Sequence, residues 1–277
     1  MCLIAFAINA QPGQALWVAA NRDEQWGRET APLHRWALDD GTEVVGGRDL
    51  RDGGTWLGIS PSGRVAMLTN VRQAVLTQAR QSRGRLVTQA LQSDSAQALL
   101  AQLDPEAYGG FNLVWGNLHT GHWHWMSNRH PQDPHAEQRP ALHHRPLGDG
   151  LYGLSNASLD TPWPKALALK AALRAAMGAP EEQQQLAHLA PVLVQTTPVD
   201  EHALPHTGVA PAVERALSSP FVRVPERRYG TRSTLWMRVR ETPGGWQADL
   251  DEWTHDPGAP GPALSPERHR RLQVTAA

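Results

Sequence analysis

With a single cysteine, Cys2, in 277 residues, the chain has no internal disulfide open to it. A core of the size this length permits needs neither a disulfide nor a metal to hold it. Long apolar runs are missing too. No stretch approaches the roughly 20 residues that a membrane helix requires, and mean hydropathy is -0.45, so no integral membrane segment is expected. An excess of either charge is likewise absent. Twenty-six basic residues face 27 acidic ones for a formal net charge of -1, so no overall field favours nucleic acid, a membrane surface or a polyanionic substrate and charge names no partner; the small-molecule substrate or ligand expected here comes from the residues and the resemblance given below. The opening stretch has no basic n-region and no small-residue cleavage site, so the cytoplasm is the expected compartment. Phe and Tyr are scarce, three of each against eleven Trp. No fixed-period repeat is visible. One domain spanning 1–277 is expected, with the Pro/Gly-rich stretch 255–277 as a flexible tail.

What is present begins with CLIAFAIN, broken by QPG and resumed by ALWVAA, which predicts a hairpin. Its run is nearly continuous rather than alternating, so both faces of these strands should be covered. EVVGG, TWLGIS and GRVAMLTN predict three further strands. From Ser82 to Leu103 the apolar spacing changes to three and four, a helix interrupted at Gln92-Ser93. FNLVWGNL and HWHWM predict another hairpin, and GLYGLSN a strand ending in a polar loop. Pro164 to Met177 reads as a helix, and GAPEEQQQLAHLAPVLVQ as a second with Pro180 near its first position. RYGTRSTLWMRVR and GWQADLDEW predict a closing hairpin through Thr-Pro-Gly-Gly. Strand runs alternating with helix runs point to two mainly antiparallel sheets packed together with helices outside them.

Cys2 has two readings. A free Cys is among the most buried residue types, which makes it a core residue of the first strand. Removal of Met1 would instead leave a thiol and a free α-amine on one residue. A free thiol titrates at about 8.5 and an α-amine at roughly 7.7 to 8.0, so nucleophile and base would come from Cys2 alone.

The neighbourhood bears on that choice. Asn21, Arg22, Asp23 and Glu24 crowd the end of the second predicted strand, beside the start of the first if the hairpin turn is short. A carboxylate there would hold the amine, and Arg22 would lower the thiol or bind a substrate carboxylate; an internally paired charged turn is the plainer reading. Asn70 and Asn156 each end an apolar strand, where an amide can donate to an oxyanion or simply cap a turn. GGRDLRDGGTWLG is a Gly-rich loop that could line a cleft, though it matches no phosphate-loop pattern. Arg232 in YGTRST could present a guanidinium to the same cleft or lie on the surface. His122 and His124 share a strand face, and with His143 and His144 they do not amount to a metal site. No metal or cofactor is called for.

Taken together, MCLIAFAIN, ANRDE, GGRDLRDGGTWLGIS, GRVAMLTNVR, SRGRLV, YGLSNASLDTPWPK, LPHTGV and YGTRST resemble the NRDE family, also known as the transport and Golgi organisation protein 2-like family. At a greater distance this pattern is similar to the N-terminal-nucleophile hydrolases of the choloylglycine hydrolase and penicillin acylase type. The resemblance implies an α+β fold, a four-layer αββα sandwich. It also implies Cys2 as nucleophile, Asp23 as its partner near the α-amine, and Asn70 and Asn156 as oxyanion or amine-binding groups. Asn21, Arg22, Glu24 and Arg232 are the expected substrate-binding residues. One departure stands out: where the choloylglycine branch has an Arg three residues before its Asp, this chain has Ala20. The expected function is an N-terminal-cysteine hydrolase or acyltransferase acting on a non-peptide C–N amide or a thioester. The alternative is a non-catalytic carrier of haem or of a lipidic acyl-CoA, to which thirteen His and many Trp would be suited.

Overall fold

The structure, a computed structural model, describes residues 2–74, 79–129, 141–259 and 261–276. Its first element, β1 (Cys2–Gln11), turns through Gly13 at φ +73° into β2 (Gln14–Gln25). The pair is antiparallel, with Leu3 opposite Asn21 and Cys2 opposite Arg22. One sheet has the order β10 (Gly150–Leu154), β1, β2, β12 (Tyr229–Thr242), β13 (Gly245–Thr254), β14 (His269–Thr275), with the short β11 (Arg223–Val224) on β12. The other is an antiparallel meander of β3 (Thr30–Ala37), β4 (Glu43–Asp49), β5 (Leu57–Ile59), β6 (Arg64–Asn70), β7 (Phe111–Asn117), β8 (His122–Ser127) and β9 (His143–Leu147).

Alternation along each strand divides the apolar residues between layers. Ile4, Phe6, Ile8, Val18, Met237 and Leu250 of the first sheet meet Val45, Ile59, Val65, Met67, Val114 and Trp125 of the second in a central core. The opposite face of β1 and β2, with Leu3, Ala5, Ala7 and Trp17, is covered by Leu169 and Leu173 of α3 (Pro164–Gly178) and by Leu189 and Leu193 of α4 (Glu182–Leu193). Beyond the second sheet, Leu86, Val87 and Leu91 of α1 (Gly84–Gln92) and Leu99 of α2 (Ala96–Gln102) pack on Val44, Ala66, Leu113 and Trp115. The result is the expected four-layer αββα sandwich. It explains why β1 is apolar on both faces: every residue from Leu3 to Ala7 is fully buried.

Four strands lie outside the sequence-based expectation, the two-residue β11 and three sheet edges, β3, β9 and β14. Each of these edges is half-exposed, and β3 and β9 carry Pro32 and Pro146, which an edge tolerates because no ladder hydrogen bond is lost there. The stretch 255–277, expected as a flexible tail, contributes β14, whose Leu272 lies opposite Leu250; the closing hairpin therefore has a further strand beside it. Pro180 precedes α4, which starts at Glu182 after an extended Glu181. No helix among the described residues is long and apolar enough to cross a membrane.

Among the ion pairs that tie the layers together, two involve nearly buried arginines. Glu182, the first residue of α4, accepts from Arg271 at 2.7 and 2.9 Å and faces Arg238 at 3.0 Å, joining the outer helix to β14 and β12. Hydrogen bonds from Arg271, then those from Arg238, hold its carboxyl down at about 2. Deeper in, Arg72 and Glu214 of α5 (Pro211–Ala216) pair with both side chains only 3% exposed, and Glu214 also accepts from the Thr207 amide and hydroxyl at 2.8 and 2.6 Å.

Because the folded carboxyl of Glu182 lies below its unfolded value, its contribution is complete above pH 4.5 and is lost as pH falls through about 2. Glu182→Gln should therefore flatten the acid loss of stability, the gap to wild type narrowing between urea curves at pH 6 and pH 3. Glu214→Ala leaves Arg72 buried without its partner and should lower unfolding free energy by about 3–5 kcal/mol in the same assay at pH 7.

Candidate functional site

Strand register decides which side chains meet at the start of the chain. Cys2 points with Ile4 and Phe6 toward the second sheet, and its cross-strand neighbour Arg22 shares that face. Both line a cavity of about 290 Å³ between the ends of the two sheets, together with Asp23, Glu24 and Asn70. Its opposite wall is the Gly-rich loop after β4, with Asp49, Asp52 and Thr55, and the start of α1 at Arg83 and Gly84. At Gly54 a Cβ would stand 2.5 Å from the Gly84 backbone, so the absence of a side chain lets that loop close on the helix.

Cys2 is 7% exposed. Burial pushes its thiol up and the charge of Asp23 adds to this, whereas Arg22 and a hydrogen bond from the Asp23 backbone favour the thiolate. The Asp23 carboxyl is also raised by burial, opposed by Lys165, by the Thr231 hydroxyl that donates to it at 2.7 Å, and by Arg72. Arg22 stands 3.7 Å from Glu24, and its Nη1 is buried with no hydrogen-bond partner among the described residues. Arg28 is different: Asp49 and Asp52 both accept from it, so its charge is spent within the wall.

Five of the eight expected residues, Cys2, Arg22, Asp23, Glu24 and Asn70, thus line one cavity. The other three are placed elsewhere. Asn21 faces the helical layer, donating to the carbonyls of Leu193 and Pro220 at 2.8 and 3.0 Å and accepting from Thr234 at 2.6 Å. Its alternation with Cys2-facing Arg22 requires this. Arg232 occupies the irregularity where β12 passes β2, between Thr231 opposite Asp23 and Ser233 opposite Arg22. Its Nη1 donates to the carbonyls of Gln25 and Trp26 at 3.2 and 2.7 Å, which turns the guanidinium to the strand end rather than the cavity.

Asn156 acts between the sheets. Its amide donates to the Asn70 carbonyl at 2.9 Å, its own carbonyl accepts from the Arg72 amide at 2.7 Å, and its Oδ1 accepts from Ser155 at 3.2 Å. Ser155 in turn donates to the Cys2 carbonyl at 3.2 Å. Asn156 therefore fixes the distance between Cys2 on one sheet and Asn70 on the other, while bordering a second cavity of about 250 Å³.

Two residues at the site escaped sequence reasoning. Arg83 lines the cavity and donates to the Gly110 carbonyl at 3.2 Å; burial lowers its pKa while Glu24 and Cys2 raise it. Lys165 lies behind Asp23, 3% exposed, with burial bringing it down to about 8. Each sits in a quoted motif, SRGRLV and DTPWPK, but neither spacing nor residue type marked it out. Of the histidines, His124 and His144 approach at 2.8 Å with stacked rings, and no group of three or more metal-type ligands occurs among the described residues. Part of the His-rich segment, 130–140, lies outside them.

Comparison with known proteins places this architecture in a family. Residues 1–245 match the family model described as Transport and Golgi organisation 2. A Transport and Golgi organization protein 2 homolog of Bos taurus is 34% identical over 263 residues, covering 86% of this chain and 88% of the relative. The Homo sapiens homolog is 36% identical over 178 residues, 60% of each chain. Among solved structures, the Caenorhabditis elegans N-acylethanolamine-hydrolyzing acid amidase (NAAA) ortholog is similar at 13% identity and a TM-score of 0.48, over 68% of this chain and 85% of that one. The chain belongs to the Transport and Golgi organisation 2 family.

Proposed function

We propose that the chain is an N-terminal-cysteine hydrolase or acyltransferase whose substrate is a non-peptide C–N amide or a thioester. The observation that carries this reading is the cavity wall: the sole cysteine of the chain opens onto it beside Asp23 and an Arg22 donor that the described residues leave unused. A core cysteine needs no cavity and no buried carboxylate at its side.

On this reading Met1 is removed and the new α-amine of Cys2 lies by Asp23. The amine takes the thiol proton as sulfur attacks the substrate carbonyl carbon, forming the C–S bond and a tetrahedral oxyanion. Asn70, held by Asn156, is the side chain placed to donate to that oxyanion, a contribution of about 2.7–4 kcal/mol for a well-aimed donor. Collapse of the intermediate breaks the C–N or C–S bond, and the proton carried by the amine passes to the leaving group. Water, or an acceptor amine or alcohol, then attacks the acyl-thioester and returns the thiol. Arg22 and Arg83 bind the polar end of the substrate, and Glu24 sets the position of Arg22.

Intact-mass measurement should show loss of Met1 and, after exposure to a panel of acyl-thioester and acyl-amide probes, an acyl adduct on Cys2. Cys2→Ala should reduce turnover to background and Cys2→Ser to under about a hundredth of wild type. Full turnover in Cys2→Ala, or turnover by a chain that keeps Met1, sinks the reading. A Cys2 that stays unmodified, with a haem Soret band that disappears in a Cys2 or His variant, would establish the carrier instead.

A further inference from the structure

Three arginines line the cavity beside Cys2, and they differ in what already answers their charge. Arg28 is matched, since Asp49 and Asp52 both accept from it. Arg22, on β2, is 6% exposed. Glu24 stands 3.7 Å from its Nη2, beyond hydrogen-bond reach, and its Nη1 has no hydrogen-bond partner among the described residues. Arg83, at the start of α1, has a guanidinium with one hydrogen bond among the described residues, from Nη1 to the Gly110 carbonyl at 3.2 Å, and with no carboxylate in an ion pair. Burial disfavours its charge, and the groups that favour it are first Glu24 and then Cys2, so this guanidinium lies in the field of the thiol.

The backbone adds to this on the Arg83 side. Helix α1 has nine residues, no acidic residue in its first turn and no side-chain cap at Arg83. Its positive end meets the cavity at Ser82, Arg83 and Gly84 with no side chain of its own to answer it. A helix start of this kind, carrying one guanidinium and facing a second whose buried N–H is unsatisfied, is a receptor for a negative group.

The chemistry of the wall narrows that group to a carboxylate. Glu24, Asp49 and Asp52 line the same cavity, and a doubly charged phosphate would meet about twice the repulsion from them that a singly charged group meets. A carboxylate presents two coplanar oxygens, which match the fork of a guanidinium. At about 290 Å³ the cavity lies at the small end of ligand pockets, with room for a short chain and not for a long one.

We propose that Arg22 and Arg83 form a carboxylate subsite in the Cys2 cavity, so that the substrate is a short acyl group with a carboxylate at its far end. The subsite itself needs only the cavity; its assignment to an acyl substrate rests on the hydrolase or acyltransferase reading. Arg83 is then a specificity-determining residue, and the SRGRLV segment acquires a function by starting α1 at the cavity wall.

Two readouts separate the subsite from the chemistry. The first is binding. Protein labelled with ¹⁵N at arginine is titrated with glutarate and followed by NMR at the guanidinium Nε, with Arg22→Gln and Arg83→Gln identifying the two signals. Both signals should shift along one saturating curve, and glutaramide, the same chain without charge, should move neither. The second is acylation of Cys2, read by intact mass. N-acetylcysteamine thioesters of succinate, glutarate and adipate are each compared with the ω-carboxamide of the same length. In each productive reaction Cys2 Sγ bonds the acyl carbon, the C–S bond of the probe breaks, and N-acetylcysteamine leaves with the thiol proton. At least one carboxylate should react about tenfold or more faster than its carboxamide, because a site built for a polar group rejects the analogue that lacks it. In Arg83→Gln and in Arg22→Gln that ratio should fall toward one, and Arg83→Lys should keep part of it. Unmoved arginine signals, or a ratio near one throughout the wild-type series, overturn the proposal; the ratio is read on wild type, so variants that fail to fold leave the test intact. Glutarate binding at both arginines with no acylation by any probe removes the hydrolase reading and keeps the subsite, whereas acylation indifferent to the carboxylate does the reverse.

Discussion

The register of β1 against β2 is the constraint on which the rest of the site depends. With Cys2 opposite Arg22, the even-numbered residues of β1 face the second sheet and the odd-numbered ones face the helices. A slip of one residue would send Cys2 into the helical layer and bring Leu3 to the cavity. The slip is prevented on both sides at once, because Ile4, Phe6 and Ile8 fill the central core while Leu3, Ala5 and Ala7 accept the close approach of α3. Small residues on the helical face and large ones on the sheet face make the two packings non-interchangeable. The placement of Cys2 at the cavity thus rests on ordinary hydrophobic packing some residues away.

A second constraint is electrostatic. Asp23, Lys165, Arg72 and Glu214 are all nearly buried, and Arg72 and Glu214 are tolerable there because they pair. Such a set is a poor way to stabilise a fold. It does hold α3, α5 and the turn after β6 to one another, through Lys165 on the Leu217 carbonyl and Arg72 on Glu214. The polar ties of Asn156 work in the same direction with neutral groups: Ser155, Asn156 and Asn70 connect the carbonyl of Cys2 to the end of β6 across the gap between the sheets. A buried amide bonded through both its nitrogen and its oxygen holds such a distance.

Most of the layers were legible in the sequence, and the reason is periodicity. The continuous apolar run of β1 and β2 announced strands covered on both faces, and the shift to three- and four-residue spacing after Ser82 announced α1 and α2, including the break at Gln92-Ser93. Of the four sheet edges, β10 was legible and β3, β9 and β14 were not. TAPLHRWA, HHRPL and HRRLQVT carry prolines, histidines and arginines because an edge strand needs only one covered face and one bonded side, so the pattern that identifies a central strand is absent. Pro180 is a smaller case: its composition fits a helix start, and the extended backbone at Glu181 moved that start two residues on.

At the site, the sequence by itself determined residue chemistry and local order: a lone thiol at position 2, a polar cluster from Asn21 to Glu24 at a strand end, and asparagines closing two further strands. Family membership followed from the same segments. Tertiary structure decided which of these groups meet. Asn21 and Arg22 are adjacent in sequence and end in different layers, since consecutive strand residues point to opposite faces. Arg232 turns to a strand end because a local irregularity in β12 places it between two register positions. Arg83 and Lys165 reach the cavity and its rear wall from opposite helical layers, 81 and 163 positions beyond Cys2 in the numbering. Spacing along a chain records neighbours on one element; convergence from four layers is set by how those elements pack.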